Sequence, residues 1–244
     1  MKTWESWRIC IPLLGLALLL LAGCKASTTG GSGPDAMYLS PDYQEMKLTS
    51  LAYLGTASVG TDPAAVRTMD RLLRSYLTGG QERFLIVGES TIRSRAADQG
   101  ATEDLDRIIR TWKDRLDVDQ LALQSFGERV GIDGFLFADL TNWREERVDW
   151  TDEGNSFTEV GLALSIYDAR TGEIAWKGQK MVREESRHYR HSRGGGSGVY
   201  SEGVTERTER ADKIVPPPPP AEEVAEKAIQ ELIKGLPEKP GAES

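Results

Sequence analysis

Val160-Gly161-Leu162-Ala163-Leu164-Ser165-Ile166-Tyr167-Asp168-Ala169-Arg170-Thr171-Gly172-Glu173-Ile174-Ala175-Trp176 sets the architecture of this chain. The large residues Val160, Leu162, Leu164 and Ile166 alternate with Gly161, Ala163 and Ser165, the period-two signature of a strand with one face against a core. Asp168 to Gly172 is turn chemistry and Ile174-Ala175-Trp176 opens a returning strand, so Phe157 to Met181 reads as a β-hairpin.

Upstream, Phe135 to Leu140 is continuously apolar, as in a central strand covered on both faces. Before it, a helix from about Asp119 places Leu121, Leu123, Phe126 and Val130 on one face and stops at Gly131. Another has Thr102 as its cap, with Leu105, Ile108, Ile109 and Trp112 in a stripe. Leu48 to Leu54 reads as a first strand, and Thr61-Asp62-Pro63 as a helix start. Val66, Met69, Leu73 and Tyr76 continue that helix to Gly79-Gly80, and Phe84 to Val87 is a short buried strand. The order is strand, helix, strand, two helices, three strands and a last helix. It predicts an α/β fold in which helices pack on a mixed sheet, as one domain over residues 38–181.

Downstream, apolar residues nearly vanish from Val182 to Val215, which predicts a mobile polar segment. Pro216 to Pro220 predicts an extended polyproline spacer, completing an insert over 182–220. A helix over 221–236 follows, with Val224, Ala225, Ala228, Ile229, Leu232 and Ile233 in an apolar stripe that packs on the domain by default.

At the other end, Lys2 and Arg8 precede an apolar run from Ile9 to Leu21, and Ala22-Gly23 supplies small residues at a cleavage site. This is the layout of a secretory signal peptide over 1–23. The run is short of the ~20 residues that cross a bilayer, and it contains Pro12 and Gly15. The alternatives are an ordinary secreted protein with a chance cysteine, or one transmembrane helix. Residues 24–37 are Ser, Thr, Gly and Pro with little apolar content, the composition of a flexible linker. The formal charge of -8 argues against nucleic acid as a partner.

Two resemblances add to this reading. Leu21-Ala22-Gly23-Cys24 resembles the lipobox of bacterial lipoproteins, which implies that Cys24 is acylated, with palmitate among its chains, and becomes the new N-terminus. Lys25 follows it, not the aspartate that retains such proteins in the inner membrane, which implies the outer membrane, periplasmic face. With Cys10 inside the signal, the mature chain then has no thiol for a disulfide, a metal or a nucleophile. The passage Phe126-Gly127-Glu128-Arg129-Val130-Gly131-Ile132-Asp133-Gly134-Phe135-Leu136-Phe137 and the hairpin turn Asp168 to Glu173 resemble CsgG-like periplasmic lipoproteins. That group includes the peptidoglycan-synthase activator LpoB and the N-terminal domain of TolB. The resemblance implies a protein-interaction module bound to an envelope protein or complex, with a possible homo-oligomer. The inserts Thr141 to Ser156 and Val182 to Val215 lack the apolar alternation of membrane-spanning strands, so no pore is expected.

Residues able to do chemistry are few. Gly88-Glu89-Ser90-Thr91-Ile92 begins like a nucleophile elbow, but Ile92 occupies the second glycine's place. The histidines, His188 and His191, lie three apart in the polar tract beside Arg183, Arg187, Arg190 and Arg193. A metal pair or a phosphate-binding cluster is weighed there against a solvated loop. Gly194 to Gly198 lacks the Lys-Ser or Lys-Thr of a phosphate loop. Glu103, Asp104 and Asp106 suit a helix N-terminus, and Trp143 and Trp150 are interface candidates. The expectation is therefore a non-enzyme without metal or cofactor, with Cys24 as its functional residue; the alternatives are a periplasmic hydrolase or a small-ligand sensor.

Overall fold

Alternation in the hairpin builds the middle of a six-stranded sheet. The computed structural model describes residues 34–78, 83–148, 154–186 and 216–240. Its elements are β1 (Ala36–Leu39), β2 (Ser50–Ala57), α1 (Pro63–Thr78), β3 (Leu85–Val87), α2 (Glu89–Asp98), α3 (Thr102–Arg115), α4 (Gln120–Val130), β4 (Gly134–Glu146), β5 (Phe157–Asp168), β6 (Ile174–Glu185) and α5 (Ala221–Lys234), with a 3-10 turn at Tyr43–Glu45. The sheet runs β1-β6-β5-β4-β2-β3. Strand β2 is parallel to β3 and β4, while β4-β5, β5-β6 and β1-β6 are antiparallel, so the fold is α/β with a mixed sheet.

Side-chain alternation sorts two cores. Leu51, Tyr53, Leu136, Leu140, Leu162, Ile166 and Trp176 pack with α1 and α5 on one face. Ala52, Leu54, Phe135 and Phe137 pack with α2, α3 and α4 on the other. The stripe of α5 is buried on the first face, with Val224, Ala228, Ile229 and Leu232 out of solvent. Pro220 (φ −56°, ψ 129°) keeps an extended backbone ahead of it, and the Pro219 carbonyl accepts from Thr158 Oγ1 at 2.5 Å.

One joint sets the register between the halves. Gly131 closes α4 at φ +64°, and Asp133 Oδ2 then accepts from the Ser50 amide (2.9 Å), the Ser50 hydroxyl (2.8 Å), the Thr49 amide (3.2 Å) and the Thr49 hydroxyl. These bonds fasten the start of β2 beside the start of β4. Burial pushes the Asp133 carboxyl up, but the hydrogen bonds outweigh it and hold it below the usual aspartate value. A Cβ on Gly134 would lie 2.7 Å from Leu51 and 2.9 Å from the Tyr167 carbonyl, so only glycine lets the three strands meet.

The structure corrects several sequence-based expectations. Ala36 and Met37 belong to β1, inside the segment read as linker, because the backbone there finds a partner in β6. Thr141 to Glu146 continue β4, and Val182 to Glu185 continue β6, instead of forming polar inserts. Ladder pairing holds these charged ends, with Arg144 opposite Glu159 and Arg183 opposite the same Glu159. Helix α2 carries no clear sequence signal: its helical amphipathicity is weak, and only Ile92 and Ala96 are buried. Thr102 is the first residue of α3, not its cap; Ala101 holds that position. Leu121 is 75% exposed and lies off the buried stripe of α4. Gly79, Gly80 and residues 187–215 lie outside the described residues.

Gly134→Ala is expected to cost about 1–3 kcal/mol by overpacking against a backbone carbonyl that cannot turn away. Gly131→Ala is expected to cost about 1–2 kcal/mol from its left-handed conformation alone. Urea denaturation checks both, with Gly134→Ala giving the lower midpoint.

Candidate functional site

Parallel strands whose following helices lie on opposite faces leave a crevice at their carboxyl ends. Here β2 leads into α1 on one face and neighbouring β3 leads into α2 on the other. The crevice between them is a cavity of about 360 Å3. Its apolar wall is Tyr53, Leu77 and Ile86, and its rim carries Arg74, Gly88, Glu89, Ser90 and Arg93.

A row of alternating charges crosses this crevice. Arg74 in α1 donates Nε to Asp70 Oδ2 (2.8 Å) and a terminal nitrogen to Glu89 Oε2 (2.7 Å). Glu89 Oε1 accepts from Arg93 Nε (2.9 Å), and Arg93 reaches Asp106 Oδ1 in α3 at 2.7 Å. The ladder irregularity between Tyr53 and Thr56 lets both converge on Asp70. The Asp70 Oδ1 atom accepts from the Tyr53 hydroxyl at 2.8 Å and from the Thr56 amide at 3.1 Å. Tyr53 gives its one proton to Asp70 and accepts from the Thr56 hydroxyl at 2.7 Å. The Arg74 guanidinium also stands 5.3 Å over the Tyr53 ring.

Each titration follows from this geometry. Burial pushes the Tyr53 phenol well above its usual value, and the Asp70 charge adds to it, so Tyr53 is a neutral donor. Burial works against both Arg74 and Glu89 in their charged forms. The mutual hydrogen bonds and charges outweigh it, raising Arg74 and lowering Glu89. Three carboxylates and two guanidiniums thus satisfy one another. The row clasps α1 on one face of the sheet to α2 and α3 on the other, above an apolar crevice.

Ser90, the serine of the elbow-like motif, lines this crevice from the first turn of α2 and is exposed. Its neighbour Gly88 is the extended N-cap of that helix, and Ile92 is fully buried, so Ser90 sits on a helix and not on a strained elbow. Asp104 pairs with Arg107 (2.7 Å) and Arg129, while Asp106 joins the charged row; both hold helices together. Trp143 is half-buried against the α1 and α5 core. Arg183 lies 3.7 Å from the Phe157 ring centroid, with Arg144 at 5.3 Å from the same ring. Cys24, Trp150, His188, His191, Arg187, Arg190, Arg193 and Gly194 to Gly198 lie outside the described residues. Among the described residues no group of three metal-binding side chains occurs, and no helix is long and apolar enough to cross a membrane.

The crevice row escaped sequence reading, although its two halves carry a signal. Asp70 to Arg74 and Glu89 to Arg93 are both acid-to-base pairs four residues apart on helices. Nothing local says that the two pairs meet.

Glu89→Gln is expected to lower stability by about 1 kcal/mol at neutral pH, since the pairs are partly exposed. Folding depresses the Glu89 value below the ordinary 4.5, so its contribution is complete above pH 4.5 and is lost as pH falls through the folded value. The gap between wild type and Glu89→Gln in urea melts should therefore be constant down to that pH and close below it.

No family model matches the chain, and no curated protein matches it. Among solved structures it is similar to lipoprotein GNA1162 from Neisseria meningitidis, with TM-score 0.41 and 15% identity over 57% of this chain and 84% of that one. It is also similar to the PelC dodecamer from Paraburkholderia phytofirmans, with TM-score 0.36 and 12% identity over 81% and 95% of the two chains. A third is the LpoB C-terminal domain from Escherichia coli, with TM-score 0.34 and 15% identity over 55% and 82%.

Proposed function

We propose that this chain is an outer-membrane-anchored periplasmic lipoprotein, acting by protein contact and not by catalysis in assembly of the cell envelope. The observation that carries the proposal is Leu21-Ala22-Gly23-Cys24 at the end of a short apolar run that follows Lys2 and Arg8. One acyl chain anchors a protein only marginally, at about 0.8 kcal/mol per buried methylene, whereas the two or three chains implied for Cys24 make attachment stable. Lipid fixes one end, the residues after Cys24 set the reach, and the α/β domain presents a surface to its partner. Confinement beside a membrane raises effective concentration, so a modest interface suffices.

The finer roles in this reading are LpoB-like activation of a synthase or CsgG-like assistance to secretion without a pore. The charged strand ends Arg144 to Glu146 and Arg183 to Glu185 support leaving out a pore, because a lipid-facing strand needs an apolar side over about 9–11 residues. A small-ligand sensor takes its support from the crevice beside Ser90.

Wild type expressed in bacterial cells is expected to incorporate labelled palmitate, to pellet with outer membranes and to yield one crosslinked envelope partner through a C-terminal tag. Cys24→Ala is expected to lose all three. Full complementation of a deletion by soluble Cys24→Ala would overturn the tethering mechanism.

A further inference from the structure

The described chain enters the domain at one corner of the sheet. Pro34 packs so closely on Gly235, at the end of α5, that a Cβ there would have no room. Asp35 accepts from the Met181 amide at 2.7 Å and from Lys180 Nζ at 2.9 Å, and its own amide donates to the Gln179 carbonyl at 2.8 Å. The next residues form β1, an edge strand of the sheet. It carries three consecutive apolar side chains in the open: Met37 at 63%, Tyr38 at 49% and Leu39 at 43% exposure. Sheet edges facing water are ordinarily guarded by charge, proline or a covering element.

The length of chain before this edge keeps it within reach of whatever surface holds Cys24. Eleven residues lie between Cys24 and Ala36, a contour of at most about 40 Å whatever conformation they take. Strand β3, at the opposite edge, lies five strand spacings from β1, roughly 24 Å. The chemistry of the near edge suits a bilayer surface. Met37 and Leu39 share one side of the strand, with Gly178 and Trp176 as register partners. Tyr38, whose ring is apolar and whose hydroxyl is polar, lies on the other side opposite the exposed Lys177. Aliphatic side chains reaching the acyl boundary, a tyrosine at headgroup level and a lysine toward anionic lipid make an interfacial contact. Three side chains alone would bind a membrane weakly; held on a short leash they bind it as an intramolecular event.

We infer that the β1 edge, Met37-Tyr38-Leu39, rests on the same lipid surface that holds the acyl chains of Cys24. The inference rests on the acylation proposed above. It turns the domain so that the β3 end, with the crevice beside Ser90, faces away from the membrane and toward a partner.

The test uses the full chain processed in cells and reconstituted into vesicles of phosphatidylethanolamine and phosphatidylglycerol. Met37→Cys and Leu85→Cys each carry a nitrobenzoxadiazole label; both positions are exposed, Leu85 at 64%, so neither disturbs the core. The label at position 37 is expected to brighten and to lose most of its emission to nitroxide-bearing lipids, while the label at position 85 keeps its emission. Equal quenching at both positions, or none at 37, overturns the inference. Brightening at 37 without lipid quenching also overturns it, because protein then covers the strand. The wild-type chain treated with the same reagent separates the two readings: labelling there reveals a free thiol, at Cys24 or at Cys10 of an unprocessed signal segment, and defeats the acylation, not the edge contact.

Discussion

Strand β4 is the constraint to which the rest of the domain is registered. Its first residues run parallel to β2 and its whole length runs antiparallel to β5, so an error in its start would misplace both halves of the sheet. The joint at Asp133 and Gly134 prevents that error. The carboxylate gathers four donors from Thr49 and Ser50, and the missing Cβ of Gly134 leaves room for Leu51 and the Tyr167 carbonyl. A parallel pair is slightly weaker per residue than an antiparallel one, which explains why polar pinning falls on the β2 side.

Once β4 is placed, the two faces fill by different means. On one face α1 and α5 bury apolar stripes against Leu162, Ile166 and Trp176, and α5 arrives from a distant part of the chain by way of the Pro216 to Pro220 run. On the other, three consecutive helices cover β2, β3 and β4. The row Asp70, Arg74, Glu89, Arg93 and Asp106 ties these faces together around the end of β3. A three-residue edge strand contributes little pairing of its own, and the charged clasp compensates for it.

The two edges of the sheet differ in chemistry. The β1 edge is apolar, exposed and next in sequence to the residues after Cys24, whereas the β3 edge carries the crevice and the clasp. A domain lying on lipid by the first edge, as proposed, would turn the second away from the membrane. Under the proposed anchoring, membrane contact and partner contact would fall to opposite edges of one sheet, about 24 Å apart by strand spacing.

Residues close in sequence determined much of this by themselves. Alternation from Val160 to Ile166 specified β5 and the hairpin, the apolar run at Phe135 specified β4, and the stripe from Val224 to Leu232 specified α5, because burial imposes periods of two or 3.6 that need no distant partner to be seen. The expectation of acylation at Cys24 likewise rests on a local stretch, Leu21 to Cys24. Tertiary structure alone decided that the charged residues Arg144 to Glu146 and Arg183 to Glu185 are strands, since ladder hydrogen bonds come from backbone groups and are indifferent to side-chain polarity. It alone turned Ala36 and Met37 from linker into edge strand and formed α2 on the strength of Ile92 and Ala96. The crevice belongs to the same class: Asp70 to Arg74 and Glu89 to Arg93 are legible as helix pairs, but their meeting depends on α1 and α2 leaving the sheet on opposite faces, a property of topology and not of any stretch of sequence.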